Sequence, residues 1–277
     1  MSLKEKLAKK ISEVQTEIKS LLTEHGEKMI SEVTVSQAYG GMRGVKCMVW
    51  ETSLLDPMEG IRFRGFSIPE VREKLPKAKD GEEPSPEGIF WLLLTGELPS
   101  KDDVEHVTEE WQSRGDVPQE TWRALDALPQ KMHPMTQFSI GILSLQPTSE
   151  FQRRYNEGMP KADYWNPTYE DVMNLLAKLP AIAAYIYRRT YKDGKRIPAN
   201  KKLDWGANFS HMMGIDNPEY YDLMRLYLVL HCDHEGGNVS AHTTHLVGSA
   251  LSDPFYSLSA GMNGLAGPLH GLANQEV

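Results

Sequence analysis

The stretch HCDHEGGNVSAHTTH, residues 231–245, carries four of the nine histidines of a 277-residue chain, with Asp233, Glu235, Asn238 and Ser240 among them. Imidazoles this dense serve a metal ion, an acid/base or anion-binding site, or a polar knot that caps helix ends. The zinc-protease pattern needs two histidines one helical turn apart with a glutamate beside the first. It is absent, because His234-Glu235 runs on into Gly236-Gly237-Asn238-Val239. His231 with His234, and His242 with His245, each have the spacing of one helix face. Gly236-Gly237 breaks any helix between the pairs and no third class of ligand accompanies them, so no metal is assigned. In the polar-knot reading a helix ends near Cys232, glycines turn the chain, and a new helix starts near Asn238 or Ser240. Acids and imidazoles then cap the ends and satisfy one another.

A second glycine-rich turn, NGLAGPLHGLANQE at 263–276, holds another histidine. Gly264, Gly267 and Pro268 bring the chain round tightly, and His270 precedes Gly271 and the start of a helix. The positive end of a helix dipole favours a neutral imidazole. A neutral imidazole can donate a hydrogen bond to a developing enolate. That is a chemical role a mere knot does not supply.

The elements that must position these turns are mostly helical. Leu3, Leu7, Ile11, Val14, Ile18 and Leu21 share one face of an N-terminal helix closed by Gly26. With no neighbour in sequence, that face lies on another part of the protein or on a second subunit. Residues 30–66 predict short antiparallel strands with glycine turns, from Ile30, Val33, Val35, Val45, Met48, Val49 and the alternating IRFRGFSIP. Arg62 and Arg64 are expected on solvated strand faces. Ser85-Pro86-Glu87 starts a helix that ends at Gly96. Ser100 with Asp103 forms a variant capping box. Helices follow near 103–114, 119–127, 134–146 and 150–158. TYEDVMNLLAKLPAIAAYIYRRTY is a long helical pattern that Pro180 should kink or break. Asn217-Pro218 and Asp253-Pro254 start two more. The expected fold class is mainly α, with a short antiparallel β segment near the N-terminus.

Composition bounds the partners. A chain 40% hydrophobic and 25% charged suits one large globular domain or two small ones. A formal net charge of -8 argues against a general nucleic-acid binder. Two cysteines, Cys47 and Cys232, make neither a disulfide framework nor a zinc pair, and point to a reducing compartment. No apolar run approaches the length of a bilayer span, and MSLKEKLAKK lacks the apolar core of a secretory signal. Neither nucleic acid nor a membrane is an expected partner.

Six segments carry a resemblance: YGGMRG at 39–44, ETSLLDPMEGIRFRGFSIPE at 51–70, PEGIFWLLLTGELP at 86–99, KLDWGANF at 202–209, LMRLYLVLHCDHEGGNVSAHTTHLVGSALSDP at 223–254 and MNGLAGPLHGLANQEV at 262–277. Together they resemble citrate synthase of the eukaryotic mitochondrial type, essentially end to end. The resemblance implies a citrate synthase-like large helical domain, working as a homodimer in the mitochondrial matrix. It implies condensation of acetyl-CoA with oxaloacetate to citrate and CoA, without metal or cofactor, acetyl-CoA being a substrate. By motif position it implies that His270 hydrogen-bonds the thioester carbonyl and stabilises the enol. His234 would bind oxaloacetate, and Arg43 would contact CoA phosphate across the dimer. Lys161 falls where the family usually has a second phosphate-binding arginine, and a lysine keeps the charge without the bidentate fork. Leu269 falls at the CoA site. Asn238, Ser240, His242 and Gly271 would shape the surroundings.

The family pattern continues beyond residue 277 with a second histidine, an aspartate base, several arginines and the small domain. Residues 1–277 are thus expected to be the N-terminal portion of the large helical domain, ending at the start of the small domain. The sequence is then part of a longer chain, one polypeptide of a split enzyme completed by a complementary C-terminal chain, or a shortened relative. The alternative to an enzyme is a non-catalytic large-domain fragment acting as an assembly or scaffold component. A metal-dependent hydrolase is the third reading.

Overall fold

The computed structural model describes residues 1–41 and 44–273. The chain opens with helices α1 (Leu3–His25) and α2 (Val35–Tyr39), then three short strands, β1 (Ser53–Asp56), β2 (Gly60–Phe63) and β3 (Phe66–Ser67). The strands form one antiparallel sheet in that order. Helices α3 (Ile68–Lys74), α4 (Pro86–Thr95), α5 (Lys101–Arg114), α6 (Gln119–Asp126), α7 (Pro134–Ser144) and α8 (Glu150–Asn156) follow. The long α9 (Trp165–Tyr191) leads to α10 (Trp205–Met213), α11 (Pro218–Leu230), α12 (Val239–Ser249) and α13 (Pro254–Leu265). The fold is mainly α, as the sequence indicates.

Helix starts follow local chemistry. Ser2 with Glu5, Ser67 with Glu70 and Ser100 with Asp103 close reciprocal capping boxes at α1, α3 and α5. Asn217 and Asp253 cap α11 and α13 through their side chains, each ahead of a proline in the first turn. Gly96 ends α4 in the left-handed conformation that a Cβ disfavours, at φ 75°.

Three expectations need correction. Residues 30–52 contain no strand among those described; Thr34 and Gln37 instead build a capping box that starts α2. The apolar residues there lack a pairing partner, and Ile30, Val35 and Val49 are largely exposed. Only the alternating stretch after Ser53 becomes sheet. Arg64 does not lie on a solvated face: its guanidinium donates to the Leu93 carbonyl from Nε at 3.0 Å and Nη2 at 2.7 Å, closing the end of α4. Arg62 is partly exposed and pairs with Glu59 at 3.0 Å. Finally, of the kink or break expected at Pro180 the break does not occur, and α9 runs through as one 27-residue helix. A proline frees the carbonyl four residues earlier. That carbonyl, of Leu176, accepts instead from the Trp205 indole N–H at 2.8 Å.

Helix α9 is shared between two parts of the core. One gathers Leu125, Ile142, Leu145, Ile182 and Phe255 from α6, α7, α9 and α13. The other joins Leu3, Trp91, Trp111 and Met173 from α1, α4, α5 and α9. The sheet packs through Phe63 on Val71, Leu92 and Val229. Helix α1 buries Leu3 in the core, whereas Ile18, Leu21 and Leu22 stay exposed. Among the described residues no helix is long and apolar enough to cross a membrane.

Candidate active site

The turn after α11 is held residue by residue. His231 ends the helix, with Nδ1 2.8 Å from the Tyr227 carbonyl and its ring stacked on Tyr227 at 4.1 Å. Asp233 accepts from the Trp50 indole N–H at 3.3 Å. Glu235 has left-handed backbone, φ 52°. Its N–H donates to Ser53 Oγ at 2.8 Å, and its carboxylate accepts from the Leu55 N–H at 2.9 Å. Gly236 is buried against Trp50, and a Cβ there would also stand 2.6 Å from Met48 Sδ, so no larger residue fits. Asn238 then caps α12: its Oδ1 accepts from the Ala241 N–H at 3.0 Å. Its amide nitrogen donates to the carbonyls of His234 and Glu235 at 3.0 and 2.9 Å.

Helices α12 and α13 lie antiparallel and unusually close. A Cβ on Gly261 would run into Thr244 Oγ1, and one on Gly264 would meet Val239 Cγ1 at 2.9 Å. Real side chains essentially never sit that near, so these glycines set the approach. The end of α13 is thereby returned to the start of α12. The turn 266–271 carries His270 back over it, its N–H donating to Gly267 at 3.0 Å. Gly271 folds onto the end of α13, where a Cβ would stand 2.8 Å from the Leu265 carbonyl.

This brings His270 Nε2 to 2.9 Å from Ser240 Oγ, and Ser240 Oγ to 2.8 Å from Asn238 Oδ1. An unbroken chain of hydrogen bonds therefore links the His270 ring to the His234 backbone. Ser240 has one proton to give. In this structure Asn238 Oδ1 receives it, so a neutral His270 donates from Nε2–H to Ser240 and offers a bare Nδ1. If His270 receives it, Nδ1 carries the proton and becomes a donor toward a ligand. The serine thus selects between an accepting and a donating imidazole.

His234, Asn238, Ser240 and His270 come together; His234 is exposed and the His270 ring half-buried. His242 lies half-buried on α12, one turn beyond Asn238, and its backbone N–H bonds to Asn238 at 2.9 Å. Leu269 is fully exposed beside His270. Lys161 is exposed at the start of a 3₁₀ turn before α9, and among the described residues no hydrogen bond or ion pair joins it to the cluster. Arg43 lies outside the described residues. No three His, Cys, Asp or Glu side chains gather as metal ligands among the described residues. Cavities of about 430 and 200 Å³ open beneath residues 196–203, lined by α5, α6, α9 and α10 and by none of the cluster residues.

Sequence reasoning missed Trp50, Ser53 and Gly261. The first two reach the turn from about 180 residues away, and no local spacing announces such a contact. Gly261 and Gly264, three apart inside a helix, did carry a readable signal of close helix approach.

Residues 41–277 match the family model described as citrate synthase, C-terminal domain. The chain is 57% identical over its whole length to citrate synthase 4, mitochondrial, of Arabidopsis thaliana, and spans 58% of that protein. It is also 57% identical to the mitochondrial citrate synthase of Aspergillus niger, again spanning 58% of it. The crystal structure of citrate synthase from Pyrobaculum aerophilum matches with a TM-score of 0.76 at 28% identity, over 90% of this chain and 61% of that one. The chain therefore spans less than two thirds of these relatives' length. It belongs to the citrate synthase family.

Proposed function

We propose that this chain takes part in citrate synthesis, joining the methyl carbon of acetyl-CoA to the ketone carbon of oxaloacetate, with water cleaving the thioester to release citrate and CoA. The observation that carries this reading is the Ser240–His270 hydrogen bond at 2.9 Å. When the Ser240 proton turns from Asn238 Oδ1 to Nε2, His270 presents Nδ1–H to the thioester carbonyl. A donor aimed at an oxygen that gains charge in the transition state is worth about two to three orders of magnitude. The methyl proton leaves to a carboxylate, which the family supplies beyond residue 277. His234, exposed on its turn, would bind oxaloacetate. Arg43 and Lys161 would meet the CoA phosphates, with Leu269 alongside. The names of the relatives support a mitochondrial matrix location, and the family resemblance a homodimer.

The test is CoA thiol release by the assembled protein. Release should require both acetyl-CoA and oxaloacetate, and His270→Ala should lower kcat by about a hundredfold or more. Turnover indifferent to that substitution overturns the role of His270. A stable oligomer that forms no citrate gives the scaffold reading instead.

A further inference from the structure

Glu235 is the one non-glycine residue of the 231–245 cluster with left-handed backbone. Such a conformation persists only where its surroundings over-determine it, and it concentrates where geometry serves function. Here the surroundings come from one distant segment. Ser53 Oγ accepts the Glu235 N–H at 2.8 Å, the Leu55 N–H reaches the Glu235 carboxylate at 2.9 Å, and the Trp50 indole donates to Asp233 at 3.3 Å. Trp50 also fills the space that a side chain at position 236 would need. Strand β1 is an edge of the sheet, paired only with β2, and Glu235 satisfies its outward Leu55 N–H.

We propose that Trp50, Ser53, Leu55 and Glu235 form a clamp that positions His234 for oxaloacetate, with Glu235 a positioning residue and not an acid or base. The proposal rests on the role given to His234 above. Among the described residues His234 itself is held only through its carbonyl, by Asn238. The direction of its exposed ring is therefore set by the backbone at 234 and 235. Asn238 fixes that backbone from one side and the β1 segment from the other. Both polar handles of Glu235, its N–H and its carboxylate, are committed to this docking. A glutamate beside a substrate-binding histidine invites an acid/base assignment; its hydrogen bonds argue for attachment.

The test compares Glu235→Ala, Glu235→Gln and Ser53→Ala in the assembled protein. Glutamine keeps the oxygen that accepts from Leu55; Ser53→Ala removes the other contact without touching the turn. Amide hydrogen exchange across residues 231–238 should rise about tenfold in Glu235→Ala and in Ser53→Ala, and stay near the parent rate in Glu235→Gln. The KM for oxaloacetate should rise about five- to tenfold in the first two, with the KM for acetyl-CoA unmoved. Unchanged exchange in both overturns the clamp. A Glu235→Gln variant as impaired as Glu235→Ala, or equal losses toward both substrates, overturns the positioning role. Absence of citrate formation by the parent protein would instead defeat the citrate synthase reading, and the exchange comparison would still decide the clamp.

Discussion

Ser240 and His270 share a proton whose position decides what the imidazole can do. The Asn238 amide is oriented by its own bonds, its nitrogen toward two carbonyls and its oxygen toward the Ala241 N–H. That oxygen competes with His270 for the serine proton. Ser240→Ala removes the shared hydroxyl, leaving Nε2 without its neighbour. The ring then samples both tautomers and a wider range of orientations. A neutral hydrogen bond contributes about 0.5–1.5 kcal/mol, so kcat should fall about three- to tenfold while the KM for oxaloacetate changes little. Nitrogen-15 chemical shifts of the His270 ring check the cause directly. Shifts identical in parent and variant would show that Ser240 does not set the tautomer. At this scale the sequence displayed the histidines and their glycine turns plainly. The Ser240 contact bridges α12 and the turn after α13, so spacing alone could rank the serine only as a neighbour.

Elements were legible where capping chemistry is local. Ser100 with Asp103, Asn217-Pro218 and Asp253-Pro254 each cap a helix where expected, and α4 starts at Pro86 although the Ser85 side chain makes no cap hydrogen bond. The failures have one physical root: the deciding contact lies far away in sequence or is missing. Residues 30–52 have strand-like composition without a strand to pair with. Pro180 does not break α9, because the Trp205 indole N–H donates to the carbonyl that the proline frees. That substitution makes a specific prediction. Trp205→Phe keeps the ring and deletes the donor, leaving the Leu176 carbonyl unpartnered inside the fold, at a cost of about 1–3 kcal/mol. Pro180→Ala in the Trp205→Phe background restores a backbone N–H to that carbonyl and should recover much of the loss. The same change in the parent protein should gain less, because the carbonyl is already satisfied. Urea unfolding of the four proteins measures the coupling. Strict additivity would show that the indole bond does not compensate the proline.

The whole molecule stores a charge imbalance where α4, α5, α10 and α11 meet. Arg225, 3% exposed, is bound by Asp204 at 2.6 Å and Asp222 at 2.8 Å. Glu87 is a third acid with no cation of its own. Its Oε1 accepts from the Trp205 N–H at 2.8 Å and from the Thr108 hydroxyl at 3.2 Å, while Oε2 has no partner among the described residues. Burial, and then the charge of Asp204, push Glu87 up to about 7 from an ordinary 4.5. Between those values the folded state holds a proton that the unfolded chain has released. Stability from this group is therefore present at low pH, falls as pH rises through that window, and levels off above it. A pKa unit corresponds to about 1.4 kcal/mol, so the loss amounts to at most about 3–4 kcal/mol. Glu87→Gln mimics the protonated acid and cannot ionise. Its stability relative to the parent should improve steadily from pH 4.5 to 7 and then stay constant. Because every other titrating group is common to both proteins, the difference reports Glu87 together with its interaction with Asp204. A difference independent of pH across that range would mean that the acid titrates as it does in water, and that the junction of the four helices is open to solvent.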